Sequence, residues 1–189
     1  MSNVKLPLIL FLLFVCSHCF AQQAEGKQLD DDRWNWYVEA LGGVQMSGIK
    51  NEDFVGSNYT PLINIIAGKW IVPYLALQAG YKGHYFNYIE DTFEHRYNFY
   101  YGEALLNLHK LLQRQGRYWN VMLHAGGGYF YNYSYGKGNI CANMGIKQSF
   151  RITKQWQVTF DISSVIGWDI YQGDEDILPG AAIGIMYLF

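Results

Sequence analysis

The residues that could carry chemistry lie in the second half of the chain. His124 precedes three glycines in "HAGGGYFY", and Asp161, Ser163 and Ser164 lie within "DISS". A histidine with a serine and an acid is the set that many hydrolases use for nucleophilic catalysis. Consecutive glycines also occur in loops that bind phosphate, but no Lys-Ser/Thr and no helical pattern follows them here. The sequence therefore argues against a phosphate-binding loop and leaves a hydrolytic set as one hypothesis.

Metal ligands have no recognisable spacing in this sequence. The histidines after His18 lie in separate segments, whereas metal sites usually contain closely spaced ligands. Acidic residues cluster in 52–53, 90–94 and 174–176, where weak contact with divalent cations among lipid head groups is an alternative to a simple solvated surface. We predict no metal site, no cofactor and no catalytic residue.

The N-terminal segment has the composition of a secretory signal peptide. Lys5 precedes an apolar run, Leu6–Val15, and Ala21 ends a site of small residues. The run is short for a membrane anchor. We therefore predict cleavage near Ala21, with residues 1–21 as signal peptide and residues 22–33 as a flexible leader.

From Trp34 to the last residue, apolar and polar residues alternate with a period of two. The segment that begins at Trp156, "WQVTFDISSVIGW", shows the alternation most clearly. Period two places successive side chains on opposite faces of a β-strand. The pattern predicts one β domain over residues 34–189. Its eight strands are expected at 34–46, 58–71, 73–87, 97–108, 118–134, 139–152, 155–169 and 179–189.

Strand length and connection length favour a barrel that crosses a membrane. Strands of about ten residues span a tilted path through a bilayer, whereas strands of soluble proteins usually have about five or six residues. Short and long connections broadly alternate, as in outer-membrane barrels. Only helices and closed barrels satisfy all backbone hydrogen bonds in lipid. We predict an all-β fold, an eight-stranded antiparallel up-and-down transmembrane β-barrel.

Aromatic residues make up 17% of the sequence and concentrate near the ends of the predicted strands. Because Trp and Tyr prefer the two interfaces of a membrane, they predict two aromatic belts on the lipid-facing surface. Tyr85, Tyr97, Tyr129, Tyr131 and Tyr133 are expected near the longer loops. The main lipid-interface aromatics are expected to be Trp36, Trp70, Trp119, Trp156, Trp168, Tyr187 and Phe189.

Charged residues of both signs fall on the other face of the strands. An eight-stranded barrel has an interior just wide enough for side chains to fill, and a buried charge without a partner is strongly unfavourable. We therefore expect paired polar groups and no wide pore, with His124 bonded to Glu39, Glu103 or Asp161. The predicted luminal network consists of Glu39, Lys82, His84, Glu103, His124, Lys147 and Asp161.

Several segments resemble the N-terminal barrel of OmpA-like outer-membrane proteins from Bacteroidetes-type bacteria. They include "NWYVEALGGVQ", "AGKWIVPYLALQAGYKG", "YYGEALLNLHKLL", "YWNVMLHAGGGYFY", "NMGIKQSFRITKQWQVTFDI" and "AAIGIMYLF". The resemblance covers nearly all of residues 34–189 and implies no catalytic set. The peptidoglycan-binding domain that commonly follows in this family is not matched. Tyr187 and Phe189, on one face of the last strand, resemble the signal that the outer-membrane assembly machinery recognises.

These features predict a non-enzymatic protein of the cell outer membrane with a structural or surface-interaction role. Its expected partners are outer-membrane lipid, lipopolysaccharide and the barrel assembly machinery. A net charge of −2 at pH 7 argues against a nucleic-acid partner, and we expect a monomer. A narrow solute channel is one alternative. A soluble periplasmic ligand carrier resembling a lipocalin, with its apolar face inward, is another. A lipid-modifying hydrolase is less favoured.

Overall fold

In the computed structural model, eight antiparallel strands close into a barrel. The structure describes residues 36–47, 59–87, 94–112, 118–169 and 175–189; the predicted signal peptide and leader lie outside these ranges. The strands are β1 (Trp36–Met46), β2 (Tyr59–Val72), β3 (Leu75–Asn87), β4 (Glu94–Asn107), β5 (Trp119–Asn132), β6 (Lys137–Arg151), β7 (Trp156–Trp168) and β8 (Glu175–Leu188), with a short helix α1 (Leu108–Leu111) between β4 and β5.

Each strand pairs with its sequence neighbours, and β1 pairs with β8 to close the wall. This is the up-and-down topology that the sequence predicts, and the predicted fold class is confirmed. The largest shift in a strand boundary is at β8, which begins at Glu175 and not at residue 179. Acidic residues are poor strand formers, but Glu175 and Asp176 pair with Trp168 and Gly167 of β7 and so extend the ladder.

The two ends of the barrel differ in their connections. At the short-turn end, Pro73 and Tyr74 join β2 to β3, and residues 152–155 join β6 to β7. The longer join between β4 and β5 contains α1, where the Asn107 side chain accepts a hydrogen bond from the Lys110 backbone at 3.1 Å. No helix in the described segments is long and apolar enough to span a membrane. The opposite end, which we call the loop end, holds the other connections.

The strands bury their polar face and expose their apolar face. Along β2, exposed and buried residues alternate, with Ile65 55% exposed and the neighbouring Asn64 2% exposed. The exposed set includes Val38, Ile183 and Ile185. This arrangement is the reverse of a soluble carrier, which would point its apolar face inward. The lipocalin-like alternative requires the apolar face to be buried, and on this point it is wrong.

Candidate functional site in the barrel interior

Six charged or titratable side chains meet inside the barrel. Each comes from a different strand and lies on its inward face, because each holds a polar position in the period-two pattern. None is more than 5% exposed. We call this set the charge cluster; it consists of Glu39, Lys82, Glu103, His124, Lys147 and Asp161.

His124 lies between two carboxylates of the charge cluster. Its Nδ1 is 3.0 Å from Glu103 Oε2, and its Nε2 is 3.1 Å from Asp161 Oδ1. A carboxylate only accepts hydrogen bonds, so both contacts are satisfied when each ring nitrogen carries a hydrogen. The histidine is then a cation, and the charge cluster holds three positive and three negative groups.

Glu103 is held by amide groups as well as by His124. Gln78 Nε2 donates to Glu103 Oε2 at 2.7 Å, and the Asn143 amide donates to Oε1. Gln78 in turn accepts a hydrogen bond from the Tyr37 hydroxyl at 2.7 Å. A Cβ at Gly126, which lies directly opposite Glu103, would collide with the backbone of Gly102 and Glu103 and with Glu103 Cγ. Glycine at this position therefore permits the close approach of β4 and β5 beside Glu103.

The two lysines of the charge cluster have different partners. Lys147 Nζ lies 2.5 Å from Glu39 Oε2, and both side chains are completely buried. Lys82 Nζ donates to Asn143 Oδ1 at 3.0 Å and to Ser163 Oγ at 2.9 Å. The amide of Asn143 thus connects Lys82 to Glu103. Charges in the interior are joined directly or through one polar side chain.

Aromatic rings fill the lumen between the charge cluster and the loop end. The rings of Tyr97 and Phe130 stack with centroids 4.7 Å apart, and those of Phe99 and Tyr101 stack at 5.2 Å. All four side chains are buried. The Tyr101 hydroxyl donates to Asn64 Oδ1 at 2.6 Å. We call these four residues the aromatic plug.

Two aromatic residues point inward, against the expectation from the sequence. Trp70 lies opposite the buried Ala76 and packs near Tyr37, with ring centroids 6.2 Å apart. The prediction that Trp70 faces lipid is therefore wrong, because position 70 has the same parity as the inward Ile66. Tyr97, expected in the outer belt at the loop end, belongs to the aromatic plug.

The other predicted interface aromatics lie on the outer surface. Trp36, Trp168 and Phe189 are exposed, and Trp119 donates to Gln148 Oε1 at 3.3 Å. The remaining two form an outward row with Phe189: the ring centroids of Trp156 and Tyr187 are 4.7 Å apart, and those of Tyr187 and Phe189 are 5.0 Å apart.

His84 is the one predicted luminal residue that stands apart from the charge cluster. Its position in the ladders is opposite the buried Leu62 and Tyr97. The ring is half-buried and lies edge-on to Tyr85, with centroids 4.3 Å apart. No hydrogen bond among the described residues connects His84 to the other luminal charges.

The candidate hydrolytic residues are close together but are arranged as a structural network. Both ring nitrogens of His124 already contact carboxylates, so neither is available to take a proton from a serine. Ser163 Oγ accepts from Lys82. In the described part of the chain, no group of three or more His, Cys, Asp or Glu side chains is placed to hold a metal ion.

The uncharged partners of the charge cluster were not singled out as luminal residues from the sequence, and Ser163 was considered only as a member of a hydrolytic set. Gln78 and Asn143 each bond two members of the network, and Tyr37 and Ser163 complete it. All four occupy the inward parity of their strands. A search for polar residues of that parity would have found them, but the sequence does not reveal which ones meet at the same height.

Comparison with solved structures identifies the fold. Neisserial surface protein A superposes with a TM-score of 0.63 at 13% identity, over 82% of this chain and 97% of that chain. The N-terminal β-barrel domain of Pseudomonas aeruginosa OprF gives a TM-score of 0.51 at 13% identity, over 80% and 97%. Ail of Yersinia pestis gives 0.50 at 10% identity, over 82% and 99%.

No family model matches the sequence, and the search of curated proteins found no match. At these low identities, the similarity to solved structures establishes the fold and nothing further. The chain has the fold of small eight-stranded outer-membrane β-barrels. The predicted resemblance to OmpA-like barrels is thus confirmed at the level of architecture.

Proposed function

We propose that this protein is a monomeric barrel of the bacterial outer membrane with a structural or surface-interaction role and a sealed lumen. The observation that carries the proposal is the interior, where six charged groups of both signs are buried and bonded to one another or to amides. A pore would leave such charges facing water. In an eight-stranded barrel, side chains alone can fill the lumen.

The outer surface supports a location in lipid. Exposed aliphatic side chains cover the middle of the strands, and exposed Trp side chains lie near both ends, at Trp36 and Trp168. Such a surface is unfavourable in water and matches a bilayer with two interfaces. The closed wall has no free strand edge that would invite pairing with another chain, which supports a monomer.

Cell fractionation tests the location directly. We expect the protein in the outer-membrane fraction, as a band whose gel mobility changes on heating. A soluble carrier would appear in the periplasmic fraction with unchanged mobility, and that result would reject the membrane proposal.

Deletion of Phe189 should reduce the amount of inserted protein if β8 is recognised by the assembly machinery, whereas Phe189→Tyr, which keeps an aromatic ring at this position, should insert normally.

The proposed role is not enzymatic. The histidine that a hydrolase would need is enclosed in the lumen and bonded to two carboxylates. Purified protein should show no lipase or esterase activity. If wild-type protein hydrolyses a lipid or ester and His124→Ala abolishes that activity without unfolding the barrel, the proposal is wrong.

A narrow solute path is the second candidate. Three polar groups, Ser149 Oγ, Thr159 Oγ1 and Glu39 Oε1, are buried without a hydrogen-bond partner among the described residues. Ser149 and Thr159 are cross-strand neighbours in the half of the lumen nearer the short turns. Groups of this kind usually bond to water. Liposome swelling with small sugars distinguishes a hydrated half-lumen, which gives no swelling, from a continuous path, which does.

A further inference from the structure

The short-turn end carries two exposed lysines and one half-buried lysine beside exposed apolar side chains. Lys110 lies in α1 next to Leu112, which is 64% exposed, and Lys154 lies in the turn after Ile152, which is 67% exposed. Lys69 precedes the exposed Ile71 at the end of β2. Two connections and the end of one strand thus repeat one pairing of a cation with an aliphatic side chain. We call these six residues the basic rim.

Two of the lysines lie over tryptophan rings. Lys69 Nζ is 5.1 Å from the centroid of Trp36, on the outward face of β1 and β2. Lys110 Nζ is 5.9 Å from the centroid of Trp70, whose ring points into the barrel and not toward lipid. A tryptophan on the outer face prefers the level of the lipid head groups, and a lysine stem can lie along apolar surface while its ammonium reaches polar groups. The contact with Trp36 therefore places the Lys69 ammonium at head-group level.

The two ends of the barrel differ in the acids that lie beside their cations. Among the described residues of the short-turn connections, 73–74, 108–112 and 152–155, there is no Asp or Glu, whereas at the loop end the exposed Lys137 is paired with Asp169 at 3.1 Å. Glu39, the acid nearest the short turns in β1, is buried and bonded to Lys147. The exposed charge of the described short-turn surface is therefore positive.

We propose that the basic rim binds anionic phospholipids in the leaflet that surrounds the short turns. The aliphatic side chains would enter the acyl region, while the lysines bind head-group phosphates. Basic residues at an anionic membrane surface contribute about 1 kcal/mol each, which corresponds to roughly a fivefold change in relative affinity per cation. The inference rests on the proposed membrane location, because the rim would otherwise face water.

The test compares lipid selection by matched variants. Wild-type protein is folded into vesicles of phosphatidylcholine, with or without phosphatidylglycerol, and the lipids that co-purify with the barrel are quantified by native mass spectrometry. We expect phosphatidylglycerol to be enriched around the wild type, and the enrichment to fall at high salt. The variant Lys69→Gln/Lys110→Gln/Lys154→Gln should lose most of the enrichment. Replacing the same three lysines by arginine should preserve it.

Two controls make the result decisive. Lys137→Gln removes an exposed cation at the loop end and should leave the lipid ratio unchanged. The heat-dependent gel shift in pure phosphatidylcholine reports folding and insertion independently of lipid charge. If no form inserts, the membrane proposal fails. If all forms insert but the glutamine variant selects phosphatidylglycerol as the wild type does, or Lys137→Gln lowers the selection equally, the lipid site is refuted.

Discussion

The two faces of the barrel wall reverse the usual relation between polarity and burial. Inside, Lys147 and Glu39 are charged and have no contact with solvent. Outside, Ile65 is apolar and more than half exposed. Both faces belong to the same strands and differ only by one step in the sequence. The wall is thus built for an apolar exterior and for an interior in which the charged groups bond to one another or to polar side chains.

The two faces differ in how strictly they constrain the choice of side chains. The outer face needs only apolar side chains and interfacial aromatics, because lipid makes no directional contacts with them. The inner face needs each charged side chain to meet its partner at the same level along the barrel axis, because a buried charge without its partner is strongly destabilising. We therefore expect similar-sized substitutions to be costly inside and tolerated outside, unless they bring a charge into lipid.

The largest effect is expected at the Lys147–Glu39 pair. Lys147→Met preserves most of the side-chain volume but leaves the Glu39 carboxylate without its cation, and it should lower the free energy of unfolding by about 3–5 kcal/mol. The double variant Glu39→Gln/Lys147→Met should recover much of this loss, since both charges are then absent. Denaturant titration of the barrel in vesicles measures both. A single variant as stable as wild type would contradict the buried pairing.

A charge introduced on the outer face should lower the free energy of unfolding nearly as much as the loss of Lys147. Ile65 lies near the middle of β2, and Ile65→Arg should destabilise the barrel by about 2–4 kcal/mol, as expected for arginine at the bilayer midplane. Ile65→Leu is the matched apolar control and should change little. In a water-soluble barrel, arginine at this exposed position would be harmless, so an unaffected stability would argue against lipid contact.

A smaller effect is expected from one hydroxyl of the aromatic plug. Tyr101→Phe removes the donor to Asn64, which accepts at 2.6 Å, and should cost about 1–2 kcal/mol because the buried acceptor loses its partner. Tyr100→Phe is the control from the adjacent, outward position, where the ring is exposed, and should be neutral. Equal effects of the two changes would remove the proposed distinction between the faces.

The smallest effect is expected for a charge pair outside the lumen. Lys137 Nζ lies 3.1 Å from Asp169 Oδ2, and both side chains are exposed. Exposed pairs contribute little because water screens them. Lys137→Gln should therefore change the free energy of unfolding by about 0.5 kcal/mol or less. A loss as large as that of Lys147→Met would show that burial does not govern the strength of these pairs.

The fold could be predicted because residues of different polarity alternate along the strands, most clearly in β7, where Gln157, Thr159, Asp161 and Ser163 alternate with apolar residues and serine. The face of Trp70 could not, because β2 is apolar on both sides: Leu62 and Ile66 point inward while Ile63 and Ile65 point outward. Only the register places Trp70 opposite Ala76, and so fixes its face.

The partners of the luminal charges also depend on register. The period-two pattern places Glu39, Glu103 and Asp161 on the inward face. Their positions along the barrel axis depend on the stagger of the strands around the barrel. The structure brings Glu103 and Asp161 to His124 and pairs Glu39 with Lys147. Glu39 and Lys147 are 108 residues apart, and they belong to β1 and β6, which are not adjacent in the barrel. No local pattern in the sequence predicts such a contact.

Single-channel recording in planar bilayers tests the sealed lumen most directly. Protein that shows the heat-dependent gel shift should give no stable nanosiemens-scale openings, because the charge cluster and the aromatic plug fill the interior. Stable openings of that size in the wild-type barrel would contradict this account.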